Sequence, residues 1–311
     1  MNDASTIGTP GAKISVVMTT YNGEQFLEQQ INSVLLQTLQ PSEIIVCDDG
    51  STDDTVKILE RFSQHPGFTF YRNETRLGVV ENFKKAVSFT TAGNYIALCD
   101  QDDIWLPEKL ERSLSTLLQI EDPLLPSMVY SDLILIDDHN KIISHSVITE
   151  LGHHKYRHCL ETLLFVNFVL GCTILMNPKM KEFFADIPNN NTYHHDAWIA
   201  LIAFTFGRIA MLDHPYIKYR KHGRNVTLKG GYRKRNFAKK IKDHTKAIFL
   251  KTDLLEVQLS MAGSFYEIYK DRLSAQHKKK ITGLLKLTGR SYVRKKMAFE
   301  IAFANNWIKR F

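Results

Sequence analysis

The first 135 residues of this 311-residue chain predict an α/β domain built on a parallel sheet. Three observations carry that prediction. Short β-rich runs recur, they are apolar throughout rather than alternating, and longer stretches at helical spacing separate them. Strands apolar on both faces and joined through helices form a parallel sheet covered on both sides. A doubly wound sheet of this kind binds its ligands at the carboxyl ends of its strands.

The elements follow in order. ISVVM (14–18) is the first strand, and Phe26, Leu27, Ile31, Val34 and Leu35 place a helix from about Gln25 to Leu36. EIIVC (43–47) precedes a helix from about Asp54 to Phe62, whose first amides Ser51 or Asp53 can cap. FTFYR (68–72) leads to a helix over about 79–89, and YIALC (95–99) to one over about 107–118. From 136 to 230 the pattern is less regular: an apolar run ending at Met176, a helix from about Pro178 to Ala185, the segment NNNTYHHDAWIALIAFTFG, and the strand-like RIAML and YIKYR. Residues 231–311 give two or three amphipathic helices, broken near Gly263 and over 283–289. The reading is a flexible start (1–12), an α/β domain (13–230) and a basic helical region (231–311).

Composition bounds the function. Apolar residues at 44% and charged residues at 23% belong to a soluble globular protein. The longest nearly apolar stretch, 163–176, is too short to span a bilayer, and MNDASTIGTPGAK lacks the apolar core of a secretory signal. Cys47, Cys99, Cys159 and Cys172 show no zinc-type spacing, so the expectation is a cytoplasmic protein with reduced thiols. The net charge of +7 is uneven: residues 231–311 hold 20 Lys and Arg against 6 Asp and Glu, the rest 20 against 27. All nine prolines lie before residue 216, so the basic part is free to be continuously helical.

Every predicted strand ends in a polar cluster: TTYNG, DDGSTDD, NETRLG and DQDD. Neither GxGxxG nor GxxxxGK[ST] follows the first strand, which argues against a dinucleotide-binding dehydrogenase and a P-loop NTPase. In LCDQDDIWL, Asp100, Asp102 and Asp103 fall within four positions. Carboxylates about 6 Å apart at an effective dielectric of about 20 repel by roughly 3 kcal/mol per pair. A positive partner is therefore expected there, unless the run is a solvated turn.

ISVVMTTYNGEQFLEQQINSVLLQT, IIVCDDGSTDDT and YIALCDQDDIWLPEKL together resemble the inverting glycosyltransferases of family 2, which have the GT-A fold. GCTILMNPKM, HHDAWIALIAFTFGRI and YRKHGRNV resemble the rhamnosyltransferase-like branch, so the likeness covers about residues 13–228. It implies that Asp100-Gln101-Asp102 is the DxD motif holding Mn²⁺ or Mg²⁺ on the donor diphosphate, with Asp102 the leading ligand. It implies that Asp49 receives the N3–H of a uracil or thymine, supported by Asp48, with Thr19, Tyr21, Gly78 and Asn82 lining the nucleoside site. The alternative for Asp49 is a turn cap. Asp196 is implied as the base that deprotonates the acceptor hydroxyl, beside His194 and His195, and a helix cap is a compatible role. Arg220, His222 and Arg224 follow the last strand; the resemblance suggests a phosphate contact for Arg220 and a metal or phosphate ligand in His222, and ordinary surface cations are the alternative. Trp105 and Trp198 are candidates for sugar stacking or for the core.

The implied activity is metal-dependent inverting transfer of rhamnose, or a galactose- or glucose-type hexose, from a UDP- or dTDP-sugar to a lipid-linked precursor of O-antigen or capsule. The basic helices fit either an anionic membrane surface or packing against the catalytic domain or a second subunit. Nucleic-acid binding has no supporting module, and a non-catalytic sugar- or nucleotide-binding module is expected to lose Asp102 or Asp196, both of which are present.

Overall fold

The computed structural model of the protein describes residues 11–189, 194–223 and 255–304. The chain divides into two compact units, residues 1–150 with 169–220, and residues 151–168 with 221–311.

The first unit is a doubly wound α/β domain. β1 (Ile14–Thr20), α1 (Leu27–Leu35), β2 (Glu43–Asp48), α2 (Thr55–Phe62), β3 (Phe68–Arg72), α3 (Val79–Ser88) and β4 (Tyr95–Cys99) follow one another as the periodicity predicts. These four strands are parallel, with Ile14 opposite Tyr95, Ser15 opposite Glu43 and Ile44 opposite Phe68. β1, β2 and β4 are buried almost throughout, whereas β3 buries only Phe68, because it is the sheet's outer strand.

The chain then makes β5 (Ile104–Trp105), α4 (Lys109–Ile120), β6 (Ser127–Tyr130), β7 (Ile134–Ile136), β8 (Ile142–Ser144) and α5 (Val147–Leu151). After α6 (Leu160–Leu163) come β9 (Leu175–Met176), α7 (His195–Phe206), β10 (Arg208–Met211) and β11 (Ile217–Arg220). The main sheet has the order β10-β6-β9-β4-β1-β2-β3, in which β9 runs antiparallel between β4 and β6. A second sheet, β5-β11-β7-β8, stands apart from it. The helix read over 178–185 is instead a 3₁₀ segment, Pro178–Phe183, started by Asn177, whose side chain accepts from the Met180 amide. At the exit of α7 a Cβ on Gly207 would lie 1.6 Å from the Pro126 carbonyl oxygen, so only glycine lets the chain pass into β10.

The second unit contains α8 (Glu256–Tyr269), α9 (Ala275–Leu285) and α10 (Tyr292–Ala304). Gly263 and Gly283 lie inside helices rather than at breaks; the chain turns at Ser274, which caps α9, and at Gly289, with φ +69. Residues 151–168 group with these helices, where Glu161 pairs with Lys280 at 2.6 Å and Phe165 meets Phe299 edge-on. The division therefore falls at 220 rather than 230 and takes in a segment that the linear order hides. Among the described residues no helix is long and apolar enough to cross a membrane.

Candidate active site

The site assembles at the carboxyl ends of β1, β2 and β4. Asp48, fully buried, is spent on the β2 turn: its carboxylate accepts from the Thr20 hydroxyl (2.9 Å), the Ser51 amide (2.9 Å) and the Ser51 hydroxyl. Asp49 faces the other way. Its carboxylate takes the Leu77 and Gly78 amides at 2.7 and 2.9 Å and the Asn73 side-chain amide at 3.0 Å, with the Arg76 guanidinium 3.9 Å away. Gly78, at φ +85, makes this cradle possible by turning its N–H inward. Asn82 braces it, donating to the Cys47 carbonyl and accepting from Asn73.

Next to this cradle the first and fourth strand tips are tied together. Gln101 accepts from the Tyr21 amide at 2.9 Å and donates to the Tyr21 carbonyl at 3.1 Å. A Cβ on Gly23 would fall 2.3 Å from the Gln101 side-chain oxygen, so the glycine leaves room for the clasp. The Tyr21 ring, expected to lie under a base, carries the Arg76 guanidinium 3.8 Å above it. Thr19 sits half-buried on β1 opposite Cys47.

The acids lie on the far side of the clasp. Oxygens of Asp100 and Asp103 and the Cys172 sulfur fall within 4.8 Å of one another, with Asp102 half-buried beside them. Burial, then the charges of Asp102 and Asp196, push Asp100 up to about 7. Burial, then the charges of Asp102 and Asp100, hold Asp103 well above the carboxylate range. Asp196 lies in the first turn of α7, buried, with its Oδ1 accepting the Ala197 amide at 2.6 Å. A Cβ on Gly171, next to Cys172 of the cluster, would lie 3.6 Å from the Asp196 Cβ, so Asp196 stands beside the acidic run, 96 positions from Asp100 in sequence. His195 is buried against Phe83 with ring centres 4.2 Å apart, while His194 is exposed. A Cβ on Gly171 would lie 2.8 Å from His195 Nε2, so this glycine makes the space for the ring.

Residues 15–163 match the family model described as glycosyl transferase family 2. The chain carries a family 2 glycosyltransferase domain. An uncharacterized glycosyltransferase of Haemophilus influenzae is 26% identical over 264 residues, which are 82% of this chain and 80% of that one. The Escherichia coli protein WfgD, named a UDP-Glc:α-D-GlcNAc-diphosphoundecaprenol β-1,3-glucosyltransferase, is 38% identical over 107 residues, 34% of this chain and 41% of its own length. S. aureus TarS in complex with UDP-GlcNAc superposes with a TM-score of 0.58 at 17% identity, over 96% of this chain and 93% of that one. The fold is accordingly GT-A.

Several expectations for the glycosyltransferase change at this point. Arg220 is not free to bind phosphate as expected. It is fully buried, its Nε donates to the Asp102 carbonyl (2.9 Å), and its terminal nitrogens donate to Asn140 Oδ1 and Gln29 Oε1 (both 2.7 Å). Its amide also holds Asp103 Oδ1 at 3.1 Å. His222 belongs to the helical unit and is absent from the one three-residue ligand cluster found among the described residues, and Arg224 lies outside them. Trp105 and Trp198 are core residues, 2% and 0% exposed, so neither is a sugar platform. Sequence reasoning missed Arg76, Cys172 and Gly171. Arg76 stands in the NETRLG tip already singled out, whereas Cys172 and Gly171 sit in an apolar run with nothing to distinguish them.

Asp100 also sets a pH dependence. Its folded-state value is raised, so the native protein holds a proton that the unfolded chain gives up near pH 4, and stability is lost as pH rises through about 7. The ligand-free wild type is expected to melt higher at pH 5 than at pH 8, and Asp100→Asn to flatten that difference in a thermal melt series.

Proposed function

We propose that the enzyme moves a hexose or deoxyhexose from a UDP- or dTDP-sugar to a hydroxyl of a cell-surface glycan precursor, with inversion. The observation that supports the reading is the closeness of Asp196, through Gly171 and Cys172, to the Asp100–Asp103 cluster in the domain that also bears the Asp49 cradle. The cradle takes the pyrimidine edge, with Thr19, Tyr21, Gly78 and Asn82 around the nucleoside. Asp196 accepts the proton of the acceptor hydroxyl as its oxygen bonds to the anomeric carbon and the bond to the diphosphate breaks.

The donor set suits a hard divalent ion. Asp103 Oδ2 is a buried carboxylate oxygen with no hydrogen-bond partner, Asp100 stands beside it, and burial keeps the Cys172 thiol protonated and so outside the set. Asp100 and Asp102 would hold Mn²⁺ or Mg²⁺. Such an ion supplies positive charge to a departing diphosphate.

WfgD's name describes a diphosphoundecaprenol-linked substrate, which supports a lipid-linked acceptor here. A peripheral seat on the cytoplasmic face of the membrane suits such an acceptor. On α10, Val293, Met297 and Ile301 are 51%, 60% and 56% exposed at i, i+4 and i+8, with exposed Arg290 and Arg294 alongside. A basic helix with an exposed apolar stripe suits an anionic lipid surface. Substituting the three apolar residues by Asp in the full chain is expected to abolish sedimentation with phosphatidylglycerol vesicles; unchanged sedimentation rejects the membrane seat.

The donor is tested by thermal shift with UDP- and dTDP-sugars, each with and without Mn²⁺, because a ligand that binds only the native state raises its melting temperature. A metal-dependent shift lost in Asp102→Ala, followed by an inverted product with the best donor, is the expected result. No shift with any compound rejects the donor assignment.

A further inference from the structure

Gln101 stands in the chain between Asp100 and Asp102, the carboxylates assigned above to the ion, yet its own side chain is committed to a different strand. Its Oε1 accepts from the Tyr21 amide at 2.9 Å and its Nε2 donates to the Tyr21 carbonyl at 3.1 Å. A primary amide carries acceptor and donor side by side, the same pair that a peptide unit presents. The β1–β4 ladder ends with Met18 opposite Cys99, so the Gln101 side chain adds one more rung between two tips that have already left the sheet. A carboxylate, an ammonium or a thioether at this position could make at most half of it.

Gly23 meets the same amide from the opposite tip. A Cβ there would lie 2.3 Å from Gln101 Oε1, 2.6 Å from Cδ and 3.2 Å from Nε2, so the whole amide occupies the space where a side chain at 23 would begin. Its φ lies outside the left-handed region, so the backbone does not demand glycine; the amide does. The neighbouring bonds run elsewhere: the Asn22 amide donates to Ser51 Oγ at 2.9 Å and the Gly23 amide to Thr55 Oγ1 at 2.8 Å, both beyond the β2 tip. Among the described residues, the rung is therefore the one hydrogen-bonded tie between residues 21–23 and the acidic run.

We propose that Gln101 is a positioning residue whose rung to Tyr21, admitted by Gly23, holds the nucleoside side of the site in register with Asp100 and Asp102, so that nucleotide and divalent ion bind cooperatively. A nucleoside diphosphate reaches from one tip to the other. Each end gains from the other only if the tips keep their spacing, and a misplacement of about 1 Å is enough to forfeit most of such a gain. The cooperative consequence rests on the transferase reading above; the protection of the Tyr21 amide does not.

The test uses the full chain as wild type, Gln101→Met, Gly23→Ala and the double variant. Methionine keeps the length of glutamine and makes neither bond. Gly23→Ala leaves Gln101 intact but takes its place, and since only a flexible side-chain end has to move, the fold is expected to tolerate it. Hydrogen exchange of the Tyr21 amide in the ligand-free protein, read by fragmentation mass spectrometry, is expected to quicken about tenfold or more in every variant. Calorimetric titration with UDP or dTDP, whichever the wild type binds more tightly, then gives the affinity with and without Mn²⁺. Mn²⁺ is expected to tighten wild-type binding by about 5- to 150-fold, the usual span of coupling between two sites. Each single variant is expected to lose most of that factor while keeping its metal-free affinity, and the double to lose no more, since both changes remove one rung. A factor absent from the wild type or retained in Gln101→Met, losses that add in the double, or a metal-free affinity that falls as far as the metal-supported one would each overturn the proposal. If Gly23→Ala fails to fold, Gln101→Met decides alone. A wild type that binds neither nucleotide rejects the transferase reading and the cooperativity with it, whereas unchanged Tyr21 exchange in Gln101→Met rejects the rung itself.

Discussion

Asp196→Asn is expected to cut the rate of sugar transfer by about 100- to 10,000-fold, the span that removal of a general base produces. The change is nearly isosteric. The Ala197 amide still finds an oxygen, so the first turn of α7 keeps its local bond. On the proposed assignment the loss should fall on kcat, because Asp196 would act on the acceptor proton while the Asp49 cradle, proposed for the nucleotide, is left unchanged. Steady-state kinetics together with donor titration distinguishes the outcomes: unchanged donor affinity with transfer abolished supports the base assignment, and wild-type turnover ends it. There is a further sign. Removing the Asp196 charge withdraws one of the causes that raise Asp100, so the pH dependence of stability should soften in the same variant.

Arg220→Met is expected to cost about 3–5 kcal/mol of folding stability, the usual penalty for removing one member of a buried charged network. The guanidinium holds Asp102, Asn140 and Gln29 at 2.7–2.9 Å and rests 4.3 Å above the Phe26 ring, so one side chain joins α1, the acidic run and the β7–β8 turn. Methionine would strip the Asp102 carbonyl of its partner and untie the exposed Gln29 and Asn140 side chains from β11. Lysine should fail nearly as badly, because a single ammonium cannot reach partners that a planar fork serves in several directions. Thermal melts decide between this and the phosphate role expected from the sequence. A variant that melts like wild type yet loses donor affinity would restore the phosphate contact.

What was legible in the sequence, and what was not, follows from the range of the interactions involved. The first four strands and three helices could be read directly, since local periodicity and turn chemistry fix them within a few residues. The strand tips holding Asp49 and Asp100 are marked by composition, whereas Asp196 was nominated through the family resemblance of HHDAW. Arg220 misled. As one more cation in YRKHGRN it reads like an ordinary surface residue, and only its position on β11, within reach of a turn some 80 residues earlier, makes it a buried strut. The burial of Lys109 carries no mark in the sequence either: at the start of an amphipathic helix, solvent is the default surrounding for a lysine, and tertiary packing alone encloses it. The grouping of 151–168 with the C-terminal helices was hidden for a related reason, since Glu161 finds Lys280 more than a hundred residues later.

The two-residue strand β9 has a consequence for how the molecule is made. β4 is complete at Cys99, but it remains an open sheet edge until Leu175 and Met176 arrive to pair with Ile96 and Ala97. The same two residues pair with Met128 and Val129, so they also join β6 to the growing sheet. During translation at about 5–20 residues per second, the interval between residues 99 and 176 lasts roughly 4–15 s. Throughout that time a nascent chain displays an unpaired strand ending in a run of acids, the kind of edge to which other chains add. Gly171 and Cys172, which wall the acids, emerge immediately before the closing strand, so completing the sheet and enclosing the acidic run are a single late event in biosynthesis.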